Sequence, residues 1–196
     1  MASVVDICNL ALAHLGDDAT IASIDPPEGS AQAEHCARFY PVARDALLEM
    51  HAWGFATKRV RLAALSAESW DWAFAYAKPN NIIRTLSVLS PASSADAQTQ
   101  PYEIEGDTIL TDQEDAVLRY TERATDTTKY PPLFVDALTW LLASYLAGPV
   151  IKGDAGASMA KSCLQSFAGP FSLAKASDAN QRRVIPDHSP SWIGGR

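Results

Sequence analysis

Two pairs of carboxylates have a spacing that chemistry can use. Glu103 and Glu105 are two residues apart, which on a strand puts both on one face. Asp45 and Glu49 are four apart, which on a helix does the same. Glycoside hydrolysis needs two such groups, one as acid and one as base or nucleophile, converging on a bond held in a cleft. Nothing in the sequence places either pair in a cleft, and a solvated face is the plainer reading. The four histidines, His14, His35, His51 and His188, lack metal-ligand spacing. His35 adjoins Cys36, but neighbouring helical residues diverge and do not chelate together. Gly153-Asp154-Ala155-Gly156 lacks both the third glycine of a dinucleotide fingerprint and the Lys-Ser/Thr of a phosphate loop. Gly156-Ala157-Ser158-Met159-Ala160 lacks the second glycine of a nucleophile elbow. No catalytic residue, metal ligand or cofactor is therefore assigned.

Composition narrows the class. With 47% hydrophobic and 20% charged residues over 196 positions, the chain has the apolar content to bury a core, as one domain or one domain with an insertion. The net charge is −7, and Lys and Arg are dispersed along the sequence, so no basic face for gripping nucleic-acid phosphates is expected. Cys8, Cys36 and Cys163 are odd in number, far apart, and set in helical patterns. They read as buried thiols of a protein folded in a reducing cytoplasm. The first residues, Met1-Ala2-Ser3-Val4-Val5-Asp6, have no positive n-region and predict no signal peptide. The longest apolar stretch, Leu133 to Val150, contains Asp136, Thr139 and Ser144. It is short for a membrane span and reads as a buried helix, so no membrane partner is expected.

The elements follow from periodicity. Ser3 with Asp6 caps a first helix ending at Leu15-Gly16, with Val5, Cys8, Leu12 and Leu15 on one stripe. Asp25-Pro26-Pro27-Glu28-Gly29 is a rigid turn, and a second helix starts near Ser30. It buries Cys36, Tyr40, Ala43, Leu47 and Met50, and Pro41 should kink it. Strands are predicted over Phe55 to Leu62, Ile82 to Leu89 and Ala116 to Arg123, with a hairpin turning at Gly106-Asp107. Ala92 to Gln100 reads as a mobile polar loop. A third helix begins at Pro131-Pro132 and ends at Gly148-Pro149. A fourth runs from about Ala155 to Asp178 with Met159, Cys163, Phe167 and Leu173 inward and a bend at Gly169-Pro170.

These elements make an α+β protein. Residues 1–53 and 129–181 form a discontinuous helical bundle, 54–128 a small β-rich insertion, and 182–196 an extended C-terminal arm. Trp53 and Phe55 sit where helix meets strand and read as core residues at the domain junction. Trp192 has no local core in its tail and reads as an anchor on another chain. Arg182, Arg183, Val184, Ile185, Ile193 and Arg196 share that arm, apolar groups with a charged rim, as a docking segment for a partner or a neighbouring copy.

Several patches, in this order, resemble the tail tubular protein A family, the head-to-tail adaptors of short-tailed bacteriophages. They are Cys8 to Gly16 followed by Ile21-Ala22-Ser23-Ile24, Ala33 to Leu48 running on to Trp53-Gly54-Phe55-Ala56-Thr57-Lys58-Arg59, and Tyr76-Ala77-Lys78-Pro79-Asn80-Asn81. Tyr102-Glu103-Ile104-Glu105-Gly106, Leu110-Thr111-Asp112 and the apolar run from Leu138 to Pro149 complete them. Gly54, where such proteins often carry a larger polar residue, and the Ala-Ser loop at 92–100 depart from the pattern. The resemblance implies a structural virion protein without catalytic function. Twelve copies would form a ring between portal protein and tail nozzle protein, with the C-terminal arm gripping the portal. Genomic DNA would pass through without specific binding, past walls whose negative charge repels it. The competing readings are a tail-associated glycan or cell-wall hydrolase and another phage or prophage structural protein.

Overall fold

Ser3 and Asp6 close a reciprocal box at the start of the first helix. The Asp6 N–H donates to Ser3 Oγ at 3.1 Å and the Ser3 N–H to Asp6 Oδ2 at 2.8 Å. Two of the donors that a helix start leaves open are thereby satisfied. The computed structural model describes residues 2–66, 71–91 and 99–181. In it α1 (Val4–His14) ends before Gly16, whose φ of +75° is the left-handed stop, and buries Ile7, Cys8, Ala11 and Leu12. After the turn at Asp25–Gly29, Ser30 caps α2 (Ala31–Met50) by accepting the Ala33 N–H at 3.2 Å. α2 runs through Pro41 and buries Cys36, Tyr40, Ala43 and Leu47. Met50, expected on the same stripe, is instead exposed. It lies on the last turn, where the chain leaves the helix at His51.

α3 (Pro132–Ile151) corrects the expected stop at Gly148-Pro149, because the helix continues through both. One proline so near a C-terminus removes a single backbone bond, and the stop comes instead at Lys152 and Gly153, with φ of +65° and +60°. The reversal leads into α4 (Gly153–Asn180), longer than expected at both ends and running through Gly169-Pro170. Close approach sets this hairpin: a Cβ on Gly156 would sit 2.9 Å from the Ala147 carbonyl oxygen. α4 buries Gly156, Cys163, Phe167 and Ala174, and Met159 is half-buried. Leu173, assigned to that stripe, is exposed, since it stands one residue, about a hundred degrees, off the buried line.

α3 packs against α1, α2 and α4, and one hydrophobic cluster joins all four helices. By length and composition α3 could cross a membrane; here Phe134, Leu138, Leu141, Leu142 and Leu146 are buried against its neighbours. The helices thus come from both ends of the chain, and the strands lie between them in sequence.

A 3₁₀ turn, Gly54–Ala56, occupies the start of the expected first strand, so β1 covers only Thr57–Arg61. β2 (Phe74–Ala77) was not foreseen, although its aromatic-alanine alternation has period two. β3 (Ile82–Leu89) has the expected bounds. β4 (Thr99–Gln100) falls at the end of the expected polar loop and pairs with Val88 and Leu89 of β3; residues 92–98 lie outside the described residues. β5 (Glu103–Glu105) and β6 (Thr108–Thr111) form the hairpin, with φ of +56° at Gly106. β7 (Val117–Glu122) is the last strand. The strands divide into two antiparallel sheets, ordered β1-β7-β3-β4 and β2-β6-β5. Between them a second cluster gathers Leu62, Tyr76, Val88, Ile109, Leu118 and Tyr120. The chain is therefore α+β, with one helical core and one β core.

One helix contact makes the fold sensitive to pH. His14 stacks on Trp140 with ring centroids 3.7 Å apart, and its Nε2 is 3.2 Å from Thr139 Oγ1. Thr139 already donates to the Asp136 carbonyl, so the imidazole is the donor. Burial holds His14 below its ordinary 6.5, against the opposing pull of the Asp136 carboxylate. A depressed histidine stabilises the fold while neutral, and that stability is lost as pH falls from 6.5 through the folded value. Asp6 and Asp126, both held below 3.8 by hydrogen bonds, act in a lower window. Denaturant melts at pH 7.5 and 5.5 should therefore show a lower midpoint at 5.5, and His14→Gln should shrink that difference.

Candidate interaction surfaces

The junction between α2 and β1 is built on Trp53. Its ring is buried, its Nε1–H donates to the Leu47 carbonyl at 2.8 Å, and Phe134 meets it edge-on at 5.0 Å. Phe171 and His51 also flank it, at 6.2 and 4.8 Å. Phe55, half-buried, packs on Phe134 at 4.9 Å and Tyr130 at 5.7 Å. These neighbours place both residues in the helical core at the point where the chain leaves it. Asp178 completes the junction from the last turn of α4. Its Oδ1 accepts the Gly54 N–H at 2.8 Å, and its Oδ2 lies 3.2 Å from His51 Nε2. The one sequence signal for this clasp is the acid itself, since a carboxylate at a helix C-terminus opposes the dipole unless something else satisfies it. A Cβ on Gly54 would lie 3.2 Å from Asp178 Oδ1, a tight contact that glycine avoids.

A cavity of about 220 Å³ opens beside this junction, lined by Trp53, Pro132, Leu133, Ala174, Asp178 and Gln181. α4 ends beside this cavity, and Gln181, one of its lining residues, is the last described residue. The proposed docking residues Arg182, Arg183, Val184, Ile185, Trp192, Ile193 and Arg196 lie outside the described residues. A second, more open groove of about 500 Å³ runs between the start of α1, residues 22–25 and the middle of α2. Val4, Val5, Ile24, Ala37 and Pro41 make it mostly apolar, with Asp25 as its one carboxylate.

The spaced carboxylates stand in different surroundings. Glu103 and Glu105 are exposed on the edge strand β5, and Trp72 Nε1–H donates to Glu103 at 3.1 Å. Asp45 is paired with Arg44 at 2.8 Å and with Arg123 at 3.0 Å, while Glu49 is exposed. Among the described residues no three of His, Cys, Asp and Glu gather as metal ligands. The three cysteines are free and buried, as expected. Cys8 and Cys36, 28 positions apart in the chain, are both buried, and the neighbouring Cys36 thiol together with burial pushes the Cys8 thiol up.

Four arginines gather on one sheet face, while the other described basic residues stay spread over the chain. Alternation along β1 and β7 puts Arg59, Arg61 and Arg119 on one face of the four-stranded sheet. The β3–β7 register brings Arg84 to the same face, opposite Thr121. Arg59 stands directly opposite Arg119, whose guanidinium is held below its ordinary value by burial and by Arg59.

Trp53→Ala should cost about 3–5 kcal/mol, the range for truncating a fully buried large aromatic. For a chain of this length, Tm should fall by roughly 6–20 °C. Circular-dichroism melting checks this, and an unchanged melt would show that the junction carries little of the stability. The functional reading rests on this geometry and on the sequence patches, because neither a family model nor a curated protein matches the chain.

Proposed function

We propose that this chain is a structural head-to-tail adaptor of a short-tailed bacteriophage, similar to the tail tubular protein A family. It would form a ring between portal protein and tail nozzle in the virion neck, assembled in the host cytoplasm, with DNA passing through its centre. The observation that carries the reading is architectural. Helices from both ends of the chain share one core around α3, and the strands between them build a separate core. That is the layout the family resemblance implies. The end of α4 beside an apolar cavity supports a role for the following arm, because Val184, Ile185, Trp192 and Ile193 are costly to leave in water. An arm that orders on binding loses chain entropy but gains apolar contact, the usual balance for such segments.

Two outcomes are expected. Light scattering at micromolar concentration should find the isolated protein largely monomeric, with rings forming on portal; a stable ring without portal contradicts this order of assembly. Deleting residues 182–196 should leave the Tm of the free protein nearly unchanged and abolish decoration of portal rings seen by electron microscopy. Normal occupancy by the truncated protein would move the docking role to the helical body.

A further inference from the structure

Pro131 and Pro132 open α3 with no N–H to offer, and no side chain caps this helix. Leu133, half-buried, is therefore the first residue of α3 with a donor. That N–H has no helical acceptor and no other partner among the described residues. α4 ends nearby, with carbonyls of its last turn lacking helical donors and no basic residue in that turn. The two helix ends meet at the cavity of about 220 Å³, whose apolar lining is Trp53, Pro132, Leu133, Phe134 and Ala174. Small-molecule sites have volumes of roughly 300–1,000 Å³, so this one is undersized for them. A pair of aliphatic side chains is the scale of occupant that remains.

Gln181 lines this cavity and is followed in the chain by Arg182, Arg183, Val184 and Ile185. A residue extends the chain by at most about 3.6 Å, so Val184 and Ile185 lie within about 11 and 14 Å of Gln181. We propose that the cavity holds Val184 and Ile185 of the same chain, so that the arm leaves the body at a fixed point with Trp192 and Ile193 free for a partner. Pro186 disfavours helical backbone at Ile185, and an extended segment presents the carbonyl that the Leu133 N–H lacks. Arg182 and Arg183 follow α4 where cations complement its C-terminal dipole. The tether favours the chain's own arm over that of a second copy. A linker this short gives an effective concentration on the order of millimolar, above that of free chains in dilute solution. The inference rests on the arm reading above and divides the arm in two: one part seated on its own body, and one beyond Pro186 that orders on portal. Ordering residues 182–185 offsets most of what their burial contributes, so the docked state is read by local exchange and not by Tm.

Amide hydrogen exchange at Leu133, followed by NMR on the full chain, tests it. Val184→Ser combined with Ile185→Ser should speed exchange of the Leu133 N–H at least about fivefold. Trp192→Ser combined with Ile193→Ser should leave that rate unchanged. Wild-type protection should also stay constant over a roughly tenfold range of protein concentration, because an arm on its own body is not diluted. Equal exchange in wild type and the Val184, Ile185 variant overturns the proposal. Protection that rises with concentration assigns the cavity to a second copy's arm and overturns it too. A Trp192, Ile193 variant that exchanges as fast as the Val184, Ile185 variant does the same. The chain ending at Gln181 gives a second reading: its Leu133 N–H should exchange as fast as in the Val184, Ile185 variant, and retained protection overturns the proposal. Decoration of portal by wild type separates this inference from the ring reading. Protection at Leu133 without decoration leaves the cavity assignment standing and overturns the ring. Decoration without protection leaves the ring standing and overturns the cavity assignment.

Discussion

α3 is apolar over most of its circumference, with Asp136 its one charged side chain, and a helix of that kind persists in water only when most of it is covered. The rest of the helical body answers this constraint. α1 and α2 supply Ile7, Leu12, Leu47 and Leu48 from one end of the chain, and α4 supplies Cys163, Phe167 and Ala174 from the other. Burying those side chains is worth a few kcal/mol each at most, so no single contact suffices and all three neighbours are needed. The close crossing at Gly156, against the Ala147 carbonyl, is where this requirement becomes steric.

Once α1 and α2 must meet α3 and α4, the intervening residues have to leave and re-enter the same core. The exit is secured by Trp53 and by the Asp178 clasp on Gly54. At the return, Tyr130 donates to the Ala124 carbonyl at 2.6 Å and its ring meets Phe134 at 5.0 Å. The strands between these points are too short to be stable as isolated pairs, and they close a core of their own by placing two sheets against each other. Arg123 to Asp45 and Arg84 to the Glu49 carbonyl tie that β unit to α2.

This arrangement separates stability from surface chemistry. The two cores hold the apolar residues, while the outward strand positions are left to carry charge. One sheet collects arginines and the other collects acids, so a protein with a modest net charge presents two strongly different faces.

The sequence by itself determined the local elements whose signals lie within one turn or one strand. Ser3 with Asp6, Ser30, Gly16, the β-branched run of β3 and the Gly106 hairpin were legible because caps, turns and period-two alternation act between near neighbours. Its errors fall where distant packing wins. Pro149 did not end α3, Leu173 and Met50 turned outward, and Thr99–Gln100 became a strand through pairing with β3. Tertiary structure alone decided that Cys8 meets Cys36, that Asp178 holds Gly54, and that Arg59, Arg61, Arg84 and Arg119 share one face. Each of these depends on strand register or helix crossing between segments remote in the chain, and no local spacing encodes that.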